Sequence, residues 1–167
     1  MDFIYFLGRF HVLVLHLPIA LVLIAVLAEW LSRRERYRPL EPALDLLWGA
    51  TAVTAIATVV LGYMHFAEGG FTGPSARVHR LLGTTLAIVA TLNFAWRLRG
   101  GEVYRRFRSA ISTALIVLVV LTGLLFPLAI VGIDPHHDER PYLAWLLLLQ
   151  AGVMGSFLSL DLFLFFV

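Results

Sequence analysis

Five long apolar runs, separated by short charged clusters, constrain the fold of this chain more than any other feature. Of its 167 residues, 60% are hydrophobic and only 14% are charged. Crossing the roughly 30 Å hydrocarbon layer of a bilayer takes about 20 residues of α-helix. The runs lack the alternation of barrel strands, and isolated strands cannot cross lipid. We therefore predict five transmembrane helices, near residues 11–31, 43–64, 79–96, 110–131 and 143–167.

The connections between these runs are too short to hold a soluble domain. The predicted fold class is therefore an all-α integral membrane bundle, with a single membrane domain over residues 1–167. The first run lacks a basic segment before it and a small-residue cleavage site, so we expect it to remain as an uncleaved helix. The tryptophans fall mostly near predicted helix ends, which is typical of the membrane interface: Trp30, Trp48, Trp96 and Trp145.

The arginines predict the orientation of the bundle, since the chain contains no lysine. They are concentrated in the first and third connections, over residues 33–38 and 97–108. By the positive-inside rule both connections are cytoplasmic, which places the N-terminus outside and the C-terminus in the cytoplasm. We therefore expect a multi-pass protein of the bacterial inner membrane. The net charge of +2 reflects these arginines, and no motif for nucleic-acid binding accompanies them.

All six histidines fall on the outer side of this predicted topology. They are far apart in the sequence: His11, His16, His65, His79, His136 and His137. Imidazole is the commonest metal ligand at neutral pH, and ionisable residues inside a membrane usually have a function. The pair at 136–137 belongs to a polar loop, for which a solvated position is expected. The other four histidines are the candidate ligands.

Two of these histidines suit the two faces of a haem. In an up-down bundle the first and third helices lie diagonally, which favours His16 and His79 as axial ligands. His65 and His11 are the second choices. The outer-face arginines nearest to these ligands are expected to pair with the haem propionates: Arg9, Arg77 and Arg80. We expect one haem b, and the remaining histidines allow a second.

The absence of cysteine excludes iron–sulfur clusters, thiolate metal sites and covalently attached c-type haem. Two alternatives to haem b remain: a copper, iron or zinc site built from the same histidines, and a haem-free structural or accessory subunit. Nothing in the sequence resembles a nucleophilic triad or a carboxylate pair for hydrolysis. No inverted repeat of the kind found in transporters is apparent. An electron-transfer or accessory subunit is therefore expected rather than a stand-alone enzyme.

Three motifs resemble those of a bacterial multi-pass membrane-protein family of unknown function, which typically begins Gly-Arg-x-His-Pro-x-x-x-His-x-Pro-Ile. They are Gly8–Ile19, Glu68–Gly73 and His79–Gly83. Here Val12 replaces the usual proline, and Leu124 stands where the family has a histidine. Members are often encoded with, or fused to, c-type cytochromes. The resemblance implies haem binding in a redox setting. Because the candidate ligands lie on the outer side, we expect an electron-transfer subunit that acts at the periplasmic side, within a larger respiratory or redox complex. The implied partners are other membrane subunits, and a periplasmic c-type cytochrome or quinone.

Overall fold

The computed structural model describes residues 2–67, 69 and 74–131, and every regular element in them is helical. By its contacts the chain divides into two compact units, Met1–Leu128 and Ala129–Val167, and nearly all of the described residues belong to the first. The elements in chain order are α1 (Asp2–Arg9), α2 (His11–Val14), α3 (His16–Ser32), a 3₁₀ helix (Glu35–Leu40), α4 (Ala43–Ala67), α5 (Pro74–Arg99) and α6 (Glu102–Val131).

Four helical spans in the described residues are long and apolar enough to cross a membrane. They are Phe3–Ser32, Ala43–Ala67, Ala76–Arg99 and Glu102–Gly123. The first comprises α1, α2 and α3 together. These spans confirm the all-α class and correspond to the first four predicted helices. The predicted fifth helix, near residues 143–167, lies outside the described residues, so the five-helix count and the orientation stay predictions.

The first span differs from its prediction in both length and continuity. It begins at Asp2 rather than near His11, and it is interrupted at Phe10 and again at Leu15. Pro18 explains the second interruption, because proline has no N–H to bond the carbonyl of Val14. The break therefore falls directly beside His16.

The bundle has an apolar core and an apolar exterior. Val22, Ala25 and Trp48 are completely buried, in one cluster with side chains of α5 and α6. Large apolar side chains cover the outside, and Leu46 is 76% exposed. An apolar exterior of this kind suits lipid, because lipid tails are as apolar as these side chains. In lipid, the interior of a bundle differs from its exterior mainly in how closely it is packed.

The burial of Trp48 corrects one sequence prediction. An interface position was expected for this tryptophan, but its side chain is 0% exposed. Trp30 and Trp96 are 51% and 37% exposed, as interface positions require. Trp48 lies early in α4 on the face that packs on the other helices, so its place near a helix end did not decide its environment. Trp145 lies outside the described residues.

Successive spans run antiparallel, as their contacts show. Asp45 at the start of α4 pairs with Arg97 near the end of α5, and His11 at the start of α2 meets His79 near the start of α5. The bundle therefore has two ends. We call the one with His11, His65 and His79 the histidine end, and the opposite one, with Arg97 and Arg108, the arginine end.

Candidate functional site

His11 is held by α4 in a defined orientation. Its Nδ1 lies 2.8 Å from the backbone carbonyl oxygen of Thr58. A carbonyl accepts a hydrogen bond, so Nδ1 carries the proton and Nε2 of the same ring is left as the free lone pair. Metal-binding histidines are commonly oriented in this way, by donating the other ring N–H to a carbonyl. His11 is thus prepared to act as a ligand through Nε2.

Gly62 makes room for this ring on α4. A Cβ at Gly62 would lie 3.0 Å from both Cε1 and Nδ1 of His11. Slightly further along α4, Met64 and His65 present their backbone to Gly8 of α1. A Cβ at Gly8 would come within 2.8 Å of the His65 Cα. Because glycine has no Cβ, Gly8 and Gly62 let the first span approach α4 more closely than a larger residue at either position would allow.

The ring of His79 meets that of His11 across the bundle. The two ring centroids are 6.4 Å apart, and the ring planes are almost perpendicular at 89°. His79 also lies close to the backbone carbonyl oxygen of Thr122 on α6. His65 is near enough to His11 for the two imidazoles to interact electrostatically. Three of the four candidate ligands therefore gather at one end of the bundle, from three different spans.

The separation of the two rings is close to that of two imidazoles sharing one metal ion. An ion bound at about 2 Å by each nitrogen holds the nitrogens about 4 Å apart and the ring centres roughly 6 Å apart. Gly83 lies four residues after His79 on the same face of α5, and a Cβ there would meet nothing within 4 Å. The residues present therefore fit a two-imidazole centre with open space beside one ligand. In the described part of the chain, no group of three or more histidine, aspartate and glutamate side chains is arranged to hold an ion.

The fourth candidate ligand, His16, lies five residues after His11 in the first span. Its ring is half-buried, and its buried Nδ1 has no hydrogen-bond partner among the described residues. The ring that contacts His79 belongs to His11, five residues earlier. His16 follows directly after the interruption at Leu15. His136 and His137 lie outside the described residues.

The three arginines predicted to bind propionates are all at the histidine end, in different environments. The guanidinium of Arg80 lies 4.3 Å from the ring centroid of Phe66 and 5.6 Å from that of Tyr63. Arg9 and Arg77 are exposed. Stacking on two aromatic rings of α4 fixes the Arg80 cation near His79, which precedes it by one residue.

A second polar group, which the sequence did not predict, lies at the arginine end. Its centre is Glu29 of α3, which is 1% exposed and accepts a hydrogen bond of 3.0 Å from Oγ of Ser112. Tyr104, 3% exposed, donates to Oδ1 of Asn93 at 3.3 Å. We call these four residues the arginine-end cluster. A glutamate inside an apolar run was the signal that could have revealed it.

Ion pairs close the arginine end around this cluster. Arg97 donates to Asp45 at 2.6 Å and to the backbone carbonyl of Glu41 at 3.0 Å. Arg108 lies 3.2 Å from the Glu41 carboxylate. These arginines were interpreted as topology signals. They also hold together the ends of α4, α5 and α6.

The fold and its two ends define a class: an all-helical protein with four described spans able to cross a membrane. No family model matches the chain, and neither a curated protein nor a solved structure matches it. The resemblance to the redox-associated membrane family is thus carried by its sequence motifs alone.

Proposed function

We propose that this protein is a haem b-binding electron-transfer subunit of the bacterial inner membrane, acting at the periplasmic side within a larger respiratory or redox complex. The observation that carries the proposal is the pair of imidazoles from His11 and His79, 6.4 Å apart between ring centroids. Two imidazoles on opposite sides of a metal are the ligation of a low-spin b-type haem. When bound, the haem supplies a one-electron redox centre.

His11 and His79 are the ligand pair that the geometry favours over His16 and His79. His11 is anchored through Nδ1 to Thr58, which leaves Nε2 for the iron. His65 lies in the same group and is the reserve ligand. Arg80, with Arg9 and Arg77, supplies cations at the same end for the propionates.

The position of the site supports a role at one membrane face. Along α3, His16 is roughly 20 Å from Glu29 at the other end, since the rise of an α-helix is about 1.5 Å per residue, and His11 precedes His16 in the same span. With the arginine end in the cytoplasm, as the positive-inside rule predicts, the haem faces the periplasm. A periplasmic c-type cytochrome or a membrane quinone is then the partner that can reach it.

The test is an optical spectrum of the purified protein together with three single variants. We expect a Soret band and a reduced α-band of the b type in the unchanged protein. His11→Ala and His79→Ala should each lose the low-spin spectrum, because one axial ligand is removed. His16→Ala is the matched control, since it lies in the same span and is half-buried, and it should retain the spectrum.

The other outcomes of this experiment discriminate between functions. Loss of the spectrum in His16→Ala, with retention in His11→Ala, would restore the diagonal pair expected from topology. A colourless protein with stoichiometric copper, iron or zinc would support the non-haem metal site instead. A colourless protein without metal would support a haem-free accessory role.

A further inference from the structure

Glu29 is a carboxyl group buried inside a membrane-spanning segment. It belongs to the span Phe3–Ser32, and its side chain is 1% exposed. Transferring an isolated carboxylate out of water is so costly that such groups are either paired or neutralised by a proton. Ionisable residues inside membrane segments are rare and usually functional. The charge state of Glu29 therefore depends on how tightly its neighbours bind the carboxylate.

The ion pairs around Glu29 are loose. Arg33 and Arg108 approach Oε1 at 3.7 Å and 3.9 Å, which exceeds hydrogen-bond distance, and Oε1 accepts no hydrogen bond from the described residues. Arg108 is closer to Glu41, at 3.2 Å, and Arg33 is 40% exposed. A tightly held carboxylate has charge-assisted hydrogen bonds of about 2.7–2.9 Å to its cations. Glu29 lacks these within the described chain and is not locked in its charged form.

The hydrogen bond from Ser112 to the Glu29 carboxyl suits both of its protonation states. Oγ of Ser112 lies 3.0 Å from Oε2. A hydroxyl can donate to a carboxylate, and after rotation it can accept from a carboxylic acid. Ser112 therefore stabilises Glu29 with or without a proton.

Two further buried N–H groups, on the helices that pack around α3, indicate bound water. Nδ2 of Asn93 and Nε1 of Trp48 have no hydrogen-bond partner within the described chain, and both side chains are at most 2% exposed. Trp48 packs in one cluster with Ala25 and Leu115, which lie one turn from Glu29 and Ser112 on the same helix faces. Buried N–H groups of this kind are normally satisfied by bound water.

We propose that Glu29 is a proton-binding site, which takes up a proton through water held beside Asn93 and Trp48. A hydronium ion transfers its proton to Oε1, one O–H bond forms on the carboxyl group, and a neutral water molecule remains. The groups that interact with Glu29 are Arg33 just after α3, Arg97 on α5, and three side chains of α6: Tyr104, Arg108 and Ser112. Asp45 of α4 and Glu41, just before α4, pair with Arg97 and Arg108, and Asn93 of α5 accepts a hydrogen bond from Tyr104. The proposal does not depend on haem.

The test is the infrared difference spectrum of the full-length protein in lipid nanodiscs between acidic and alkaline pH. A buried carboxylic acid absorbs at higher frequency than exposed ones, because it accepts fewer hydrogen bonds. We expect one such high-frequency band, its shift in D₂O, and its loss in Glu29→Gln. Glu102→Gln is the control. Glu102 is 93% exposed, so its carboxylic acid absorbs at the lower frequency of exposed acids, and the high-frequency band should remain in this variant.

Two more variants keep the test decisive if Glu29→Gln does not fold. Ser112→Ala should move the high-frequency band upward, because the acid loses the hydrogen bond from this hydroxyl. Glu29→Asp should move it as well, because the shorter side chain reaches different partners. An unchanged band in these variants, a band that persists in Glu29→Gln, or its absence from the unchanged protein would each overturn the proposal.

Discussion

At the scale of single residues, two glycines determine how the first span meets α4. Gly62 accommodates the ring of His11, and Gly8 accommodates the backbone at His65. Glycine permits close helix packing in general, because it has no Cβ. Which glycines face a neighbour was not apparent: a Cβ added at Gly83 or Gly123 would meet nothing within 4 Å, whereas one added at Gly8 would meet backbone atoms.

Gly8→Ala and Gly123→Ala should change stability in opposite directions. At Gly8 the new methyl group would meet backbone atoms, which cannot rotate away, so we expect a loss of about 1–3 kcal/mol. At Gly123 the methyl group enters open space in a helix, where alanine is favoured over glycine by up to about 1 kcal/mol. The measurement is the free energy of unfolding in mixed detergent micelles. Equal effects at both positions would contradict the close approach of α1 to α4.

Gly62→Ala tests the orientation of His11 itself. The added Cβ would lie 3.0 Å from the ring, so the ring must move away from its bond to Thr58. If His11 is an axial ligand, this variant should bind haem at least several-fold more weakly, while Gly123→Ala binds it normally. Haem content per protein after reconstitution is the measurement. Normal binding in Gly62→Ala would argue against His11 as the ligand.

At the scale of elements, α4 connects the two ends of the bundle. Its Thr58 carbonyl orients His11 at the histidine end, and its first turn holds Asp45, which pairs with Arg97 of α5. Between them, the hydroxyls of Thr51 and Thr54 bond to carbonyls one turn earlier in the same helix. Because these hydroxyls are satisfied within α4, the helix can present them to its neighbours without an unpaired polar group.

The Asp45–Arg97 pair should stabilise the fold measurably, unlike an exposed pair on α6. The Arg97 side chain is 8% exposed, that of Asp45 is 54% exposed, and the bond between them is 2.6 Å. A double-mutant cycle with Asp45→Asn and Arg97→Gln should therefore give a coupling of about 1 kcal/mol, at the upper end for pairs that solvent reaches. The control cycle joins Glu102 and Arg105, which are 93% and 66% exposed. Its coupling should stay below about 0.5 kcal/mol. A coupling of similar size in both cycles would contradict a specific contribution of the Asp45–Arg97 pair to the packing of α4 on α5.

At the scale of the whole molecule, the ionisable side chains of the described residues are concentrated at two ends, with a largely apolar middle. His11, His65 and His79 lie at one end with Arg80, and Glu29 lies at the other with Arg97 and Arg108. Val22, Leu115 and their neighbours fill the space between. This division suits a protein that exposes each end to a different aqueous phase, with the apolar middle in the bilayer.

Labelling of single cysteines would test this placement directly, because the chain has no cysteine of its own. Arg77→Cys lies at the histidine end and Glu102→Cys at the arginine end, and both positions are exposed. In intact cells, a membrane-impermeant maleimide should label the first and not the second, and inverted vesicles should give the reverse. Labelling of both cysteines from the same side would contradict the antiparallel spans as membrane crossings.

The sequence by itself determined the helical class and the approximate location of the four described spans, because apolar runs of this length leave the backbone only one way to satisfy its hydrogen bonds in lipid. It also placed the candidate histidines at one end, since the direction of each span follows from its predecessor. Only the tertiary structure decided which residues meet. The absence of a Cβ at Gly8 and Gly62 lets the first span lie close against α4, and the ring of His11 meets that of His79.

The contacts of the arginine-end cluster were even harder to predict from the sequence. Glu29 and Ser112 are 83 residues apart, and Trp48 looked like an interface residue because of its place near a helix end. Hydropathy records how apolar a segment is, but it does not record which side of a helix faces its neighbours. In a membrane the outside is as apolar as the core, so the usual contrast between the two faces is missing. The inward face of each span therefore becomes known only when the helices are packed.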